Sequence, residues 1–318
     1  MMKNPFPYSL DNKRYKTWNY YGKTRFGKKI VKVPLDAGFT CPNRDGKLGY
    51  GGCKFCPSNG INSFPVPRSD DLVLQFENRK KLLEEKWPDS LFVPYFQSYS
   101  NTYAPVQVLR EVYAPFIRDP KIPMIFIATR VDCLEKDVLN FLSETAKSKE
   151  VWVECGIQSV RDETLRAMNC GYTYETAVNT VRKLKERGFH VSVHMINGLP
   201  GETYDDMMEN AKEIAKLPVD AVKFHTLLIL KDAELEKIHR ETPVPLLSRE
   251  EYTALVSHQI GYLSPEVTVE RIVSDAPKEE LIAPDWVIKK TVALNGIDQY
   301  MAQEDLWQGK YYETSECN

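Results

Sequence analysis

Short apolar runs alternate with helical patterns along this chain, and that alternation limits its possible folds more than any other feature. The runs are Leu91 to Gln97, Met124 to Thr129, Val151 to Gly156, His190 to Ile196 and Ala221 to Ile229. Short runs of this kind read as buried strands, and apolar residues recurring every three or four positions read as helices with one buried face. In Thr173 to Arg187, Thr173 can cap, Glu175 sits in the first turn, Ala177, Val181 and Leu184 share a face, and Gly188 ends the pattern. Thr203 and Asp206 make a capping-box start, with Met208, Ala211 and Ala215 at helical spacing behind them. Strand, helix, strand at this interval implies right-handed crossovers and parallel strands. A full or partial α/β barrel is therefore expected, with an open doubly wound sheet as the alternative. Past about residue 262 the rhythm changes, with Val267 to Val273 reading as one more strand and Trp286 to Tyr300 as a helix. The expected division is a basic aromatic segment over 1–23, a core over 24–262 and an appended C-terminal extension over 263–318.

With 318 residues, 42% of them hydrophobic, the chain can bury one large domain or two small ones. Its longest apolar runs, such as Met124 to Ala128 and Leu227 to Leu230, fall far short of the roughly 20 residues of a membrane span. Met1 to Leu10 lacks a signal pattern, so a cytoplasmic protein without a membrane partner is expected. Seven scattered cysteines read there as thiols or metal ligands, not as a disulfide framework. Charge is uneven. Residues 1–36 hold nine Lys or Arg and two Asp, a net +7, which leaves −9 for the remainder of a chain whose total is −2. Seven aromatics (Phe6, Tyr8, Tyr15, Trp18, Tyr20, Tyr21, Phe26) lie among those cations. Cations neutralise phosphates and rings stack on unpaired bases, so the mixture suits RNA. An ordinary solvated strand and turn with core aromatics fits equally well.

In α/β barrels, ligands gather at the C-terminal ends of the strands. Polar groups stand at those ends here: Gln97, Ser98, Tyr99, Ser100 and Asn101; Thr129, Arg130 and Asp132; Glu154, Gln158 and Ser159; His194, Asn197 and Gly198; and His225. Upstream lie Cys41, Cys53 and Cys56, with no other Cys before Cys133 and no His before His190. A closed structural zinc site wants four ligands, so zinc would need a distant fourth, such as Cys133 or His194. Three thiolates can instead hold three irons of a [4Fe–4S] cube and leave the fourth iron open. Cys133, Cys155 and Cys170 read most simply as buried apolar residues, and Cys317 as tail.

The cysteine run resembles the radical S-adenosylmethionine (SAM) enzymes. The family's usual spacing is three residues and then two, whereas eleven residues separate Cys41 from Cys53 here. A long first gap before Cys53-Lys54-Phe55-Cys56 is similar to the catalytic subunit of Elongator and its bacterial relatives. The stretches Asp11 to Tyr20, Lys32 to Asp36, Cys41 to Gly46 and Tyr50 to Cys53 look like the YtqA/YhcC-type radical SAM proteins. The resemblance implies a partial (β/α)6 TIM-like barrel, with a [4Fe–4S] cluster on Cys41, Cys53 and Cys56 and SAM across the strand ends. Ser98, Ser100 and Asn101 would sit at the SAM amino group. Glu154 and Gln158, in Glu154-Cys155-Gly156-Ile157-Gln158-Ser159, would face the SAM ribose or amino group, and Asn197 and Gly198 would meet the adenine. For Glu154 the competing reading is a buried carboxylate with a cationic partner. A reduced cluster of this family cleaves SAM to a 5′-deoxyadenosyl radical, which abstracts a substrate hydrogen. Glu154, His194 and His225 are the catalytic candidates, with Tyr99 and Arg271 as further substrate contacts; a strand-end histidine can equally be a satisfied core group.

Elongator-like enzymes act on the wobble uridine of tRNA with a second, acetyl-CoA-handling domain. The stretch beyond residue 262 is too short for one, so that activity is not expected. For the YtqA/YhcC group the resemblance points to wobble-uridine side-chain modification in tRNA, in its sharpest form the conversion of 5-carboxymethylaminomethyl-uridine to 5-aminomethyl-uridine. A one-electron donor such as flavodoxin or ferredoxin would be the redox partner. A small-molecule radical SAM enzyme and a non-enzymatic, metal-stabilised RNA-binding protein are the alternatives.

Overall fold

A computed structural model describes residue 6, residues 12–58 and residues 71–313 of the chain. Tyr8 and Cys317, two of the residues considered in the sequence, lie outside the described residues. Helix α1 (Trp18–Phe26) precedes strand β1 (Ile30–Leu35). Next come α2 (Leu72–Lys86), β2 (Leu91–Phe96), α3 (Val106–Arg118), β3 (Met124–Arg130), α4 (Lys136–Thr145) and β4 (Glu150–Gln158). The short α5 (Asp162–Ala167) and the longer α6 (Tyr174–Glu186) lead to β5 (His190–Asn197), and α7 (Tyr204–Ala215) to β6 (Ala221–Thr226). The C-terminal part adds β7 (Ile229–Leu230), α8 (Glu234–Glu241), α9 (Arg249–Tyr262), β8 (Thr268–Arg271), β9 (Leu281–Ala283) and α10 (Lys290–Gln303).

Seven strands form one parallel sheet in the order β1-β2-β3-β4-β5-β6-β8. This is the partial barrel expected from the rhythm, with two differences. The C-terminal strand β8 is not appended beside the sheet: it pairs with β6 and becomes the seventh strand. The run Ala221 to Ile229 is not one strand either. It breaks after Thr226, and Ile229–Leu230 pairs antiparallel with β9 instead. The expected caps are present: Thr173 accepts from the Thr176 amide, and Thr203 and Asp206 close a capping box.

Alternate residues of each strand face opposite ways. Val31, Val33 and Leu35 join Ile125, Ile127, Val151, Val153, Val191 and Val193 in the large core beneath the helices. Ile30, Val93, Tyr95, Met124, Phe126, Trp152 and Ala221 form a separate cluster on the concave face. Helix α1 plugs that cluster from the N-terminal end of the strands. The Trp18 ring stacks on Tyr21 at 4.9 Å and meets Phe126 and Trp152 edge-on at 5.6 and 5.4 Å. We expect Trp18→Ala to lower the unfolding free energy by about 3 kcal/mol, read as an earlier urea midpoint at unchanged slope.

The basic N-terminal segment resolves toward its ordinary reading. Lys13 pairs with Asp298, Arg14 with Asp305, Lys16 with Glu266 and Arg25 with Glu150. Lys29 lies over the Trp87 ring, and Thr17 bridges to Val269 of β8. Lys13, Arg14 and Lys16 thus tie the described N-terminal residues to the C-terminal part, while Arg25 and Lys29 meet Glu150 at the start of β4 and Trp87 after α2.

Candidate functional site: a cysteine loop over a charged barrel interior

Cys41 follows β1 by six residues. The loop it opens is folded mainly by its own polar groups. Arg44 donates to the carbonyls of Cys56, Pro57 and Ser58 at 3.0, 2.7 and 3.3 Å. Its guanidinium also lies over the Tyr99 ring at 4.9 Å. Gly52 has φ of +84°, and a Cβ there would sit 2.8 Å from Arg44 Nε, so the turn into Cys53 requires glycine on both counts. The loop reaches across the strand ends. Ser100 N donates to Thr40 O on the β2 side, Lys54 N to Met168 O beyond β4, and Leu235 N to Lys54 O beyond β6.

Each motif thiol sits within electrostatic reach of the other two. Burial raises Cys41, against the pull of Arg130; burial also pushes Cys56 up to about 11, against Arg44. Cys53 is raised well above its usual range, first by its hydrogen bond with Cys170 and then by burial. A metal displaces such protons on binding. The donor set fits a cluster: three thiols on one loop, two guanidiniums to offset thiolate charge, and the Asn43 amide 3.9 Å from Cys53 Sγ. Cys133 lies near Cys41 and Cys170 against Cys53, so two of the thiols read as core residues border the motif.

The remaining sequence candidates divide into three groups. Ser98, Tyr99 and Gln158 have φ of +77°, +59° and +69°. Left-handed non-glycine residues cost about 1–3 kcal/mol each and collect at functional sites; here they mark the ends of β2 and β4. Gln158 follows a register shift, and its Nε2 would lie 2.6 Å from a Cβ on Gly156. The second group makes hydrogen bonds within the scaffold, although Asn101 Oδ1 is buried without a partner among the described residues. Ser100 hydrogen-bonds Thr129 at 2.8 Å, and Asn101 Nδ2 donates to Ala128 O at 3.0 Å. Asn197 exchanges amide bonds with Gln259 at 2.8 and 2.9 Å. Gly198, with φ of +88°, donates to Met207 Sδ.

The third group lies inside the barrel. Glu154 is fully buried, and Lys32 Nζ and Lys223 Nζ each approach it at 2.5 Å, with His194 Nε2 at 3.0 Å. Lys32 also reaches Glu270 at 2.5 Å, and Lys223 reaches it at 3.4 Å. Lys32 stands on β1 and Glu270 on β8, the two ends of the sheet, which do not pair with each other, so this ion pair links them. Burial alone would raise the Glu154 carboxyl; the Lys223 and Lys32 ammoniums and the His194 hydrogen bond outweigh it and hold the group well below the usual carboxylate range. Burial lowers Lys223 to about 8 against the pull of Glu154 and Glu270. Lys223 therefore binds its proton less tightly folded than unfolded. Between pH about 8 and the unfolded value near 10.4 its contribution to stability should rise with pH, measurable as a rising urea midpoint. His194 and His225 ring centroids are 5.3 Å apart, and burial lowers both imidazoles, His225 the further. Arg271 is half-exposed beside them and 3.7 Å from Asp275.

Sequence reasoning missed Lys32, Lys223 and Glu270. The signal was there: Ile30-Val31-Lys32-Val33 and Ala221-Val222-Lys223-Phe224 each place one cation within an apolar strand, and a buried ammonium demands a carboxylate.

A parallel half-barrel with a three-cysteine loop across its C-terminal rim is the frame of the radical SAM enzymes. Residues 41–214 match the Radical SAM superfamily and residues 219–303 the Radical_SAM C-terminal domain. This chain belongs to the radical SAM superfamily, whose enzymes carry a [4Fe–4S] cluster and SAM. It is 41% identical over 316 residues to the uncharacterised protein YtqA of Bacillus subtilis (strain 168), covering 99% of this chain and 98% of that one. A tRNA uridine(34) acetyltransferase of Methanocaldococcus infernus is 27% identical over 184 residues, which is 57% of this chain but 33% of that protein. Among solved structures, an archaeal Methanocaldococcus infernus Elp3 with an N-terminal deletion superposes with a TM-score of 0.65 at 18% identity, over 88% of this chain and 64% of the other; that likeness concerns the fold. No helix among the described residues is long and apolar enough to cross a membrane.

Proposed function

We propose that this radical SAM enzyme modifies tRNA at the wobble uridine, converting a 5-carboxymethylaminomethyl side chain to 5-aminomethyl. Cys41, Cys53 and Cys56 would hold the cluster, and SAM would lie against the strained ends of β2 and β4, at Ser98, Tyr99 and Gln158. Bound there, the cluster and SAM supply a hydrogen-abstracting radical. The chain's own residues bind and orient the substrate and handle its protons, with Arg271 and the histidines at the mouth of the interior. Flavodoxin or ferredoxin would deliver the electron.

One observation carries the reading: a cysteine loop set across strand ends that hold both cationic and proton-accepting groups, in a chain with a relative named for uridine 34. A zwitterionic side chain, an ammonium beside a carboxylate, is the ligand such a mixture accommodates. The paired N-terminal cations contribute no argument for RNA. The test is mass spectrometry of tRNA nucleosides from cells with and without the protein. Loss should raise the carboxymethylaminomethyl nucleoside at the expense of the aminomethyl one; unchanged wobble uridines would end the substrate claim.

A further inference from the structure

Ser274, in the segment after β8, is buried to 3% exposure and touches His225. Its hydroxyl makes two contacts: Oγ donates to Thr226 O at 2.9 Å and lies 3.3 Å from His225 Nδ1. A serine hydroxyl has one hydrogen. With that hydrogen on the Thr226 carbonyl, Oγ can only accept from the imidazole, so Nδ1 carries the proton and Nε2 is left as a lone pair. Nε2 is enclosed and, among the described residues, has no hydrogen-bond partner. A buried acceptor without a donor is costly and rare, which makes this atom a place where a ligand donor belongs.

The neighbours of His225 agree. His194 on β5 donates its Nε2–H to ionised Glu154 of β4, since a carboxylate cannot donate. That leaves His194 no Nε2 acceptor to offer a ligand. Lys223 on β6 and Arg271 on β8 are cations facing the same ring. Burial first, then His194, Arg271 and Lys223, keep the imidazole neutral well below its ordinary range, with Glu154 opposing.

We propose that Ser274 is a positioning residue that locks His225 in its Nδ1-protonated tautomer, leaving Nε2 to accept a hydrogen bond from the secondary ammonium of the uridine side chain. The assignment rests on the tRNA reading above. No proton is transferred and no electron changes hands: the imidazole stays neutral, and its lone pair orients the side chain whose carbon–hydrogen bond the SAM-derived radical attacks.

The chain has five histidines, so selective ¹⁵N-histidine labelling of the oxidised holoenzyme gives few resonances, and His225→Ala identifies the one of interest. Nitrogen–proton correlations should show His225 neutral, protonated at Nδ1 and unchanged as pH falls through about 6.5, where a free imidazole charges. Ser274→Ala should bring in the Nε2-protonated tautomer and slow tRNA conversion about tenfold, the size of one lost hydrogen bond to the substrate. Ser274→Thr, which keeps the hydroxyl, should restore both; iron content and circular dichroism check folding. An Nε2-protonated His225 in an enzyme that converts tRNA overturns the proposal and leaves the substrate reading intact. So does a Ser274→Ala enzyme that keeps both tautomer and rate. A wild-type enzyme that converts no uridine, with His225 protonated at Nδ1, ends the substrate reading and the ammonium role together while the tautomer lock stands.

Discussion

Cys53→Ala protein isolated without oxygen should carry far fewer than the about four irons per chain expected of a [4Fe–4S] enzyme, and its reductive cleavage of SAM should fall below detection. The three motif thiols come from one loop, and their spacing is set by the Arg44 contacts to the carbonyls of Cys56, Pro57 and Ser58. Removing one thiol leaves two, too few to hold a cube and keep one iron free. Cys170 is the thiol positioned to interfere with this result, because it already hydrogen-bonds Cys53. If it substitutes, some iron will survive in Cys53→Ala and disappear in the Cys53→Ala, Cys170→Ala double variant. Full iron and full SAM cleavage in the double variant would refute the three-thiol site.

Glu154→Gln should destabilise the folded protein by about 3–5 kcal/mol, the range for breaking a buried ion pair on one side only. The carboxylate faces Lys32, Lys223 and His194 at once, and its side chain has no exposure to water. A neutral amide leaves Lys32 and Lys223 to share Glu270, so excess positive charge stays buried. Restoring balance should recover much of the loss: Glu154→Gln combined with Lys223→Met removes one charge of each sign, and the pair should be more stable than Glu154→Gln alone. The sign with pH follows from the depressed folded-state pKa. Glu154 contributes its full stabilisation above the unfolded value near 4.3, and loses it as pH falls through the lower folded value. The wild-type and Glu154→Gln urea midpoints should therefore converge in acid. A constant gap down to the acid transition would mean the ion cage is not what Glu154 contributes.

Strands β2 to β6 were legible because each buries side chains on both faces and so reads as a nearly continuous apolar run. β1 was not, because Lys32 and Pro34 interrupt it. Its edge position tolerates the proline, and its interior position pairs the lysine with Glu154 and Glu270. β8 was legible as a strand but not as part of the main sheet, since pairing with β6 joins segments far apart in the chain and leaves no local trace. The helix caps were legible because a cap is made within about four residues.

The same distinction applies to the site. Local spacing in the amino-acid sequence determined the thiol set at Cys41, Cys53 and Cys56, the periodicity of the barrel and the polar character of its strand ends. Tertiary structure alone decided which of those polar groups are taken up in hydrogen bonds within the scaffold. It turned Ser100, Asn101 and Asn197 to internal hydrogen bonds, gathered Lys32, Glu154, Lys223 and Glu270 from four strands into one cage, and set Ser274 against His225. Whether a side chain is a ligand group or a structural one depends on its partners, and those partners come from strands far apart in the chain, brought together by sheet pairing and burial.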